Sequence, residues 1–408
     1  MVRPARSRTA RVPSGFPASS LRRRLADWYS RHARRLPWRG TRDPYRIWVS
    51  EVMLQQTQVA TVVPYYRRFL ERFPTLRALA AAPAGKVLAA WSGLGYYRRA
   101  VALHAAAREV RRRFGGRIPA DPLLLRTLTG VGDYTAGALS SIAFGLREPA
   151  LDGNALRVLS RILALRGDPK SAANRRVMEG TARRLLEGGA PPGDINQALM
   201  ELGARICLPA SPRCMACPVR GDCRARARGL ESVLPETSRG RRPVDMEAAV
   251  ALVKRGGAYL MVRREGEGLM EGLWEFPGGF LVPGEDAEKG LARIGRERLG
   301  APLKALERVA SIRQAITYRR VKVSAYRATL SEPPPSRRRP GGAVRWVRPG
   351  ELRRLPHGSA TRRILERLGP EQPARAPRAP GGRRRLTLPQ AFVDNRRRIS
   401  GPRPPGRG

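Results

Sequence analysis

All four cysteines of this 408-residue chain fall in one stretch, "CLPASPRCMACPVRGDC", residues 207–223. No other feature limits the fold so sharply. Thiols spaced C-x6-C-x2-C-x5-C, as Cys207, Cys214, Cys217 and Cys223, can close one tight loop around an inorganic centre. The chain opens without a signal peptide, so a reducing, cytoplasmic setting is expected, and that disfavours disulfides. Coordination chemistry alone favours zinc, for which four-cysteine sites are common, while a 4Fe–4S cluster uses the same donors. Arg213, Arg220, Arg224 and Arg226 surround the loop. A metal-stapled loop carrying arginines suits contact with phosphates.

The whole chain shares that charge. It has 79 Lys and Arg against 33 Asp and Glu, a formal net charge of +46. Such a field concentrates polyanions, which makes nucleic acid the first candidate partner and an anionic membrane the second. Part of the arginine excess is also what a GC-rich genome produces. No apolar run approaches the roughly 18–20 residues of a membrane span, so no membrane association is expected.

Periodicity divides the chain. Residues 1–19 read as a disordered basic arm rather than a transit peptide, because they show no apolar face. Residues 20–228 read as helix after helix. "SSLRRRLADWYSRHARR" opens with serine caps and sets Leu21, Leu25 and Trp28 on one face, and Asp43-Pro44 is a helix-start signal. A linker is expected over 229–246. Residues 247–367 change to an α+β pattern, with a hairpin at Gly256-Gly257, strands in "RRVKVSAYRATL" and "AVRWVRPGEL", and one helix near 285–299. Residues 368–408, rich in Arg, Pro and Gly, read as a disordered tail.

Within the helical part, "LTGVGDYTAGAL" places Gly130, Val131 and Gly132 just before a helix, where backbone N–H groups can meet a phosphate. Alone, the pattern also fits an ordinary helix–helix turn. Asp152, in "ALDGNALRVLSR", precedes the next helix, a position that stabilises the carboxylate anion. Glu51 falls between Ile47, Trp48 and Leu54 on a helical wheel. A carboxyl in such an apolar arc should have a raised pKa and can serve as a general acid near neutrality.

Taken in order, "LPWR" (36–39), "SEVMLQQTQV" (50–59), "WSGLGYYRRA" (91–100), "LTGVGDYTAG" (128–137), "LDGN" (151–154) and the cysteine loop resemble the adenine DNA glycosylases of the MutY type. The resemblance spans roughly residues 20 to 365. It implies a multidomain protein: an all-α helix–hairpin–helix glycosylase with the hairpin element at 128–145 and a 4Fe–4S cluster on the four cysteines, then an α+β Nudix-like domain. It implies a monomer that binds double-stranded DNA containing A:8-oxoguanine or A:G mispairs. Glu51 would protonate adenine and Asp152 would face the sugar, with Tyr134 and Asn154 supporting Asp152. Trp38, Arg39, Leu54 and Gln197 would line the adenine pocket. Gln56 and Tyr96 would wedge into the duplex, and Thr57, Gly130, Val131 and Gly132 would bind DNA. The hairpin proline usual in the family is Thr129 here.

In the C-terminal part, Gly279, Glu285, Arg293, Glu297 and Gly300 fit a Nudix box, but Ile294 and Arg298 stand where two of its acids belong. Magnesium needs carboxylate oxygens, so hydrolase chemistry is not expected. The resemblance implies opposite-base recognition here, with Ile316, Thr317 and Tyr318 replacing a Phe-Ser-His loop. Three rival readings are disfavoured. A glycosylase/lyase would need a lysine at Tyr134. A non-catalytic lesion sensor would have lost Glu51 or Asp152. A Nudix hydrolase would need an intact box.

Overall fold

A computed structural model of the chain describes residues 15–236, 242–265, 272–316, 318–331, 343–352 and 354–368. Most of the N-terminal arm, part of the linker, Thr317 and almost all of the tail lie outside these.

The first half is helical: α1 (Ala18–His32), α2 (Pro44–Leu54), α3 (Val59–Arg72), α4 (Leu76–Ala81), α5 (Ala84–Trp91), α6 (Arg98–Arg113), α7 (Pro122–Arg126), α8 (Asp133–Ala138), α9 (Gly153–Leu163), α10 (Ala172–Leu186), α11 (Pro192–Arg205) and α12 (Arg224–Ala227). Local signals set several starts. The Asp43 side chain accepts from the Tyr45 N–H at 2.9 Å, with Pro44 leading α2, and Asp152 caps α9 through the Ala155 N–H at 2.7 Å. The serine caps expected for α1 do not form. Pro17 is the N-cap, and Ser20, already in the first turn, hydrogen-bonds the Pro17 carbonyl instead.

These helices pack into two principal cores. One gathers α2–α8 around Trp48, Phe69 and Trp91; the other gathers α1 and α9–α11 around Leu25, Leu159 and Leu199. The C-terminal end of the helical region turns back on itself. Leu234, in the expected linker, is fully buried beside Ala164 and Ala225, and its carbonyl accepts from buried Arg161 at 2.8 Å. Among the described residues no helix is long and apolar enough to cross a membrane.

The second half is a mixed seven-stranded sheet of β1 (Val244–Arg255), β2 (Ala258–Arg263), β3 (Trp274–Glu275), β4 (Gly278–Phe280), β5 (Leu303–Ile316), β6 (Arg319–Leu330) and β7 (Val344–Val347). Its main path is β3-β2-β1-β6-β5, with β1 and β6 parallel. Helix α13 (Ala287–Leu299) covers one face through Leu291 and Leu299. After the single turn α14 (Pro349–Leu352), helix α15 (Ser359–Leu368) covers the other through Ile364.

The halves interlock. Leu273, 2 % exposed, belongs to the first helical core. The His357 carbonyl accepts from Ser92 Oγ at 2.8 Å and from the Tyr97 hydroxyl at 2.7 Å.

Candidate active site

The two helical cores meet along a cleft of about 970 Å³, within the size range of ligand sites. α2 brings Glu51 from one core and the start of α9 brings Asp152 from the other; both line this cleft, with Tyr134 and Asn154.

Glu51 is only 6 % exposed, and burial pushes its carboxyl up to about 7. The charge of Asp152 pushes the same way, while a hydrogen bond from the Tyr134 hydroxyl pulls down. Tyr134, expected beside Asp152, therefore donates its hydroxyl hydrogen to Glu51 instead. Asn154 does support Asp152, donating from Nδ2 to Oδ2 at 2.8 Å. Burial nevertheless raises the Asp152 carboxyl, against its bonds from Ala155 and Asn154. This corrects the expectation that the helix N-terminus alone would set its ionisation. Helix start and caps are local features, but the packing that removes water is not.

Trp38, Arg39, Leu54, Gln197, Gln56 and Thr57 line the same cleft. Arg39 Nη2 binds Glu201 Oε2 at 2.7 Å, and Arg34 grips both Glu201 oxygens, each at 2.7 Å. These arginines hold the Glu201 carboxyl at about 2 although burial opposes them. Sequence reasoning missed Glu201 and Arg34, because in so arginine-rich a chain no single pairing stands out.

It also missed Arg157. From Nη2 it reaches Asn154 Oδ1 and the Gly203 carbonyl, both at 2.8 Å, and from Nε the Cys207 carbonyl at 2.8 Å. Its spacing three residues after Asn154 on one helix face was the available signal.

The remaining expected DNA contacts lie outside the cleft-lining set. Tyr96 is exposed on the loop between α5 and α6. Gln56 and Tyr96 share an uncommon backbone state, with φ of 56° and 50°. Gly130, at φ 73°, leads into α8, and a side chain there would strike Ala102. Val131 is buried, and Gly132 is the N-cap of α8. Thr129 fills the usual proline position. Its N–H and hydroxyl both donate to Glu109, at 3.2 and 2.5 Å, and proline could make neither bond.

All four cysteines line one small cavity of about 30 Å³. Burial pushes the Cys217 thiol up to about 12 and raises Cys214 and Cys223. Arg161 Nη1 donates to Cys207 Sγ at 3.2 Å. Among the described residues no three ligand-type side chains converge on a single-ion site.

In the C-terminal domain the box-like acids face guanidinium groups. Arg293 binds both Glu285 oxygens, at 2.9 and 2.8 Å, and also reaches Glu297. Arg293, with the Val282 N–H, holds the Glu285 carboxyl at about 2. Arg298 binds Glu275 at 2.7 Å and the Gly278 carbonyl at 2.8 Å, and Ile294 is buried in the α13 packing. β5 and β6 close as a hairpin at Ile316 and Arg319, beside which the Arg319 guanidinium lies over the Tyr318 ring. Thr317, the third residue of the expected reader, lies outside the described residues.

Comparison with known proteins agrees with both halves. Residues 49–183 match the HhH-GPD superfamily of base excision DNA repair proteins, and residues 248–367 match the NUDIX domain. The chain is 34 % identical over 411 residues to the adenine DNA glycosylase of Homo sapiens, covering 87 % of this chain and 75 % of that protein. It is 37 % identical over 383 residues to that of Mus musculus, covering 81 % and 74 %. The adenine DNA glycosylase of Buchnera aphidicola subsp. Baizongia pistaciae is 38 % identical over 205 residues, covering 49 % and 57 %. With two domain matches and this extent of likeness, the chain belongs to the adenine DNA glycosylases, base-excision-repair enzymes that hydrolyse an N-glycosyl bond in DNA.

Proposed function

We propose that this enzyme releases adenine mispaired with 8-oxoguanine or guanine, acting as a cytoplasmic monomer without strand cleavage of its own. One observation carries the reading: two carboxyls, Glu51 buried and Asp152 half-buried, line one cleft large enough for an extruded nucleotide.

Glu51, held near 7, is protonated often enough at neutral pH to give its proton to adenine N7. The C1′–N9 bond then breaks, its electron pair leaving with a neutral base. Asp152 faces the cationic sugar and stabilises it electrostatically or covalently. Water adds at C1′, and its proton returns to Glu51. Trp38, Arg39, Leu54 and Gln197 enclose the base. Tyr134 offers no amine for a Schiff base, which supports hydrolysis without lyase chemistry. Gln56, Thr57 and Tyr96, with the hairpin at Gly130–Gly132, hold the opened duplex. The C-terminal domain reads the opposite base through Ile316, Thr317 and Tyr318.

The cysteine donors fit a 4Fe–4S cluster. All four thiols line one shared hollow, as the donors of such a cluster would. Cys207, Cys214, Cys217 and Cys223 would hold the cluster as thiolates, and its role here is to keep the basic loop rigid. Iron and acid-labile sulfide at four each per chain would be found; one zinc and no sulfide would overturn this assignment.

Single-turnover assays on duplexes with adenine opposite 8-oxoguanine, G, C and T, at one salt concentration, test the function. Fastest release opposite 8-oxoguanine and then G is expected. Equal rates opposite all four would refute mispair recognition, and an absence of release would refute adenine excision.

A further inference from the structure

Arg99, the second residue of α6, belongs to neither the cleft nor the surface charge. Its guanidinium fills the space between two loops. Nη1 donates to the carbonyls of Val52 at 3.1 Å, Met53 at 2.9 Å and Gln55. Nη2 donates to Thr57 Oγ1 and to the Gly95 carbonyl, both at 3.1 Å, and Nε points at the Tyr96 carbonyl at 3.4 Å. The group lies 5.2 Å from the Tyr96 ring centre and 5.6 Å from that of Trp91. Among the described residues no carboxylate pairs with it, and desolvation lowers its pKa to about 10. Where Arg24, Arg39 and Arg293 meet carboxylates, this one is spent on backbone carbonyls.

The bonded groups have a pattern. Val52, Met53 and Gln55 are the unpaired carbonyl end of α2, where a cation is favoured. Immediately beyond them is Gln56. Gly95 and Tyr96 sit at the tip of the other loop. Gln56 and Tyr96 are two of only three non-glycine residues with positive φ among those described. An L-residue keeps that conformation only where its surroundings impose it. Arg99 bonds the residues on both sides of Gln56 and the turn that carries Tyr96.

We infer that Arg99 is the positioning residue that holds Gln56 and Tyr96 ready to enter the duplex together, so that it governs extrusion of the adenine rather than cleavage of its bond. The inference rests on the adenine-excision reading above. A planar five-donor fork is required, since it must bond carbonyls from two loops at once; an ammonium cannot span both.

The test compares Arg99→Met and Arg99→Lys with the unaltered full-length chain on two DNAs at one salt concentration. In one DNA adenine is opposite guanine within a duplex. In the other it is an unpaired bulge, already partly unstacked. On the duplex, Arg99→Met should slow single-turnover release by roughly 30- to 100-fold, as misplacement of a positioning element does, and Arg99→Lys should fall between. On the bulge both variants should return to within about fivefold of the unaltered chain, because extrusion is largely done beforehand. Fluorescence of 2-aminopurine in place of adenine should rise on binding the unaltered chain and much less with Arg99→Met.

Equal slowing on duplex and bulge would overturn the inference, since it would mean a general disturbance of α2 and Glu51. An undiminished duplex rate would overturn it too. Should Arg99→Met fail to fold, Arg99→Lys decides the same comparison. The fluorescence reports extrusion whether or not the base is then cut. A chain that unstacks the base without releasing it would fault adenine excision and still decide the role of Arg99.

Discussion

Two pairs of carboxyls, one in each half of the molecule, live under opposite rules. Glu285 and Glu297 share the guanidinium of Arg293, and Glu285 is held at about 2, permanently charged. Glu51 and Asp152 are desolvated and, among the described residues, no guanidinium bonds either one, so both carboxyls are raised, Glu51 to about 7. In a chain with 79 cations, pairing an acid is easy and keeping one unpaired is hard. Glu201 achieves the second. It engages Arg34 and Arg39, which both line the same cleft as Glu51, so that Arg39 pulls the Glu51 carboxyl down only from a distance and less than burial pushes it up. The same residue type stays a charged anion or can hold a proton near neutrality according to whether an arginine reaches it.

That contrast can be broken in order of severity. Glu51→Gln should lower base release by roughly 10²–10⁴-fold while leaving duplex binding intact, and Asp152→Asn should be similarly damaging, both read in single-turnover assays. Glu201→Gln should come next. It releases Arg39 toward Glu51, so the pH at which activity is lost should fall, and roughly 1–3 kcal/mol of stability should go with the unsatisfied buried partners. Denaturant unfolding and a pH–rate profile measure these two effects.

In the unaltered enzyme, release should decline as pH rises through about 7, because Glu51 then loses the proton it must donate. Tyr134→Phe removes a bond that favours the charged form, so the decline should move to higher pH. A move downward would reverse the assignment of that hydrogen bond. The smallest effect is expected from Glu285→Gln, which should leave adenine release within about twofold, since that acid is paired with Arg293 and lines no part of the cleft.

Much of this was legible because it is local. Asp43-Pro44, the Gly256-Gly257 turn and the apolar arc around Glu51 each depend on residues within one or two turns of chain. β5 was not legible. Its register slips between Ala305 and Glu307 and again between Arg308 and Ala310, so the alternation of buried and exposed residues breaks twice along one strand. The raised pKa of Asp152 escaped because it depends on another helical core closing over the cap. Arg99 and Glu201 escaped because most of their partners come from other loops and helices, and Arg157, despite its spacing from Asn154, because arginine is too common here for position alone to mark it.

Leu273 belongs to the second domain by chain order and to the first by packing. Filling a hole of that kind is worth about 2–5 kcal/mol when judged from leucine-to-alanine changes in cores. The grip of Ser92 and Tyr97 on the His357 carbonyl adds to it. The two halves should therefore melt in one transition rather than two. A lineage that discarded the second half would have to repack the first in the same step, which makes the pairing of the two folds hard to undo.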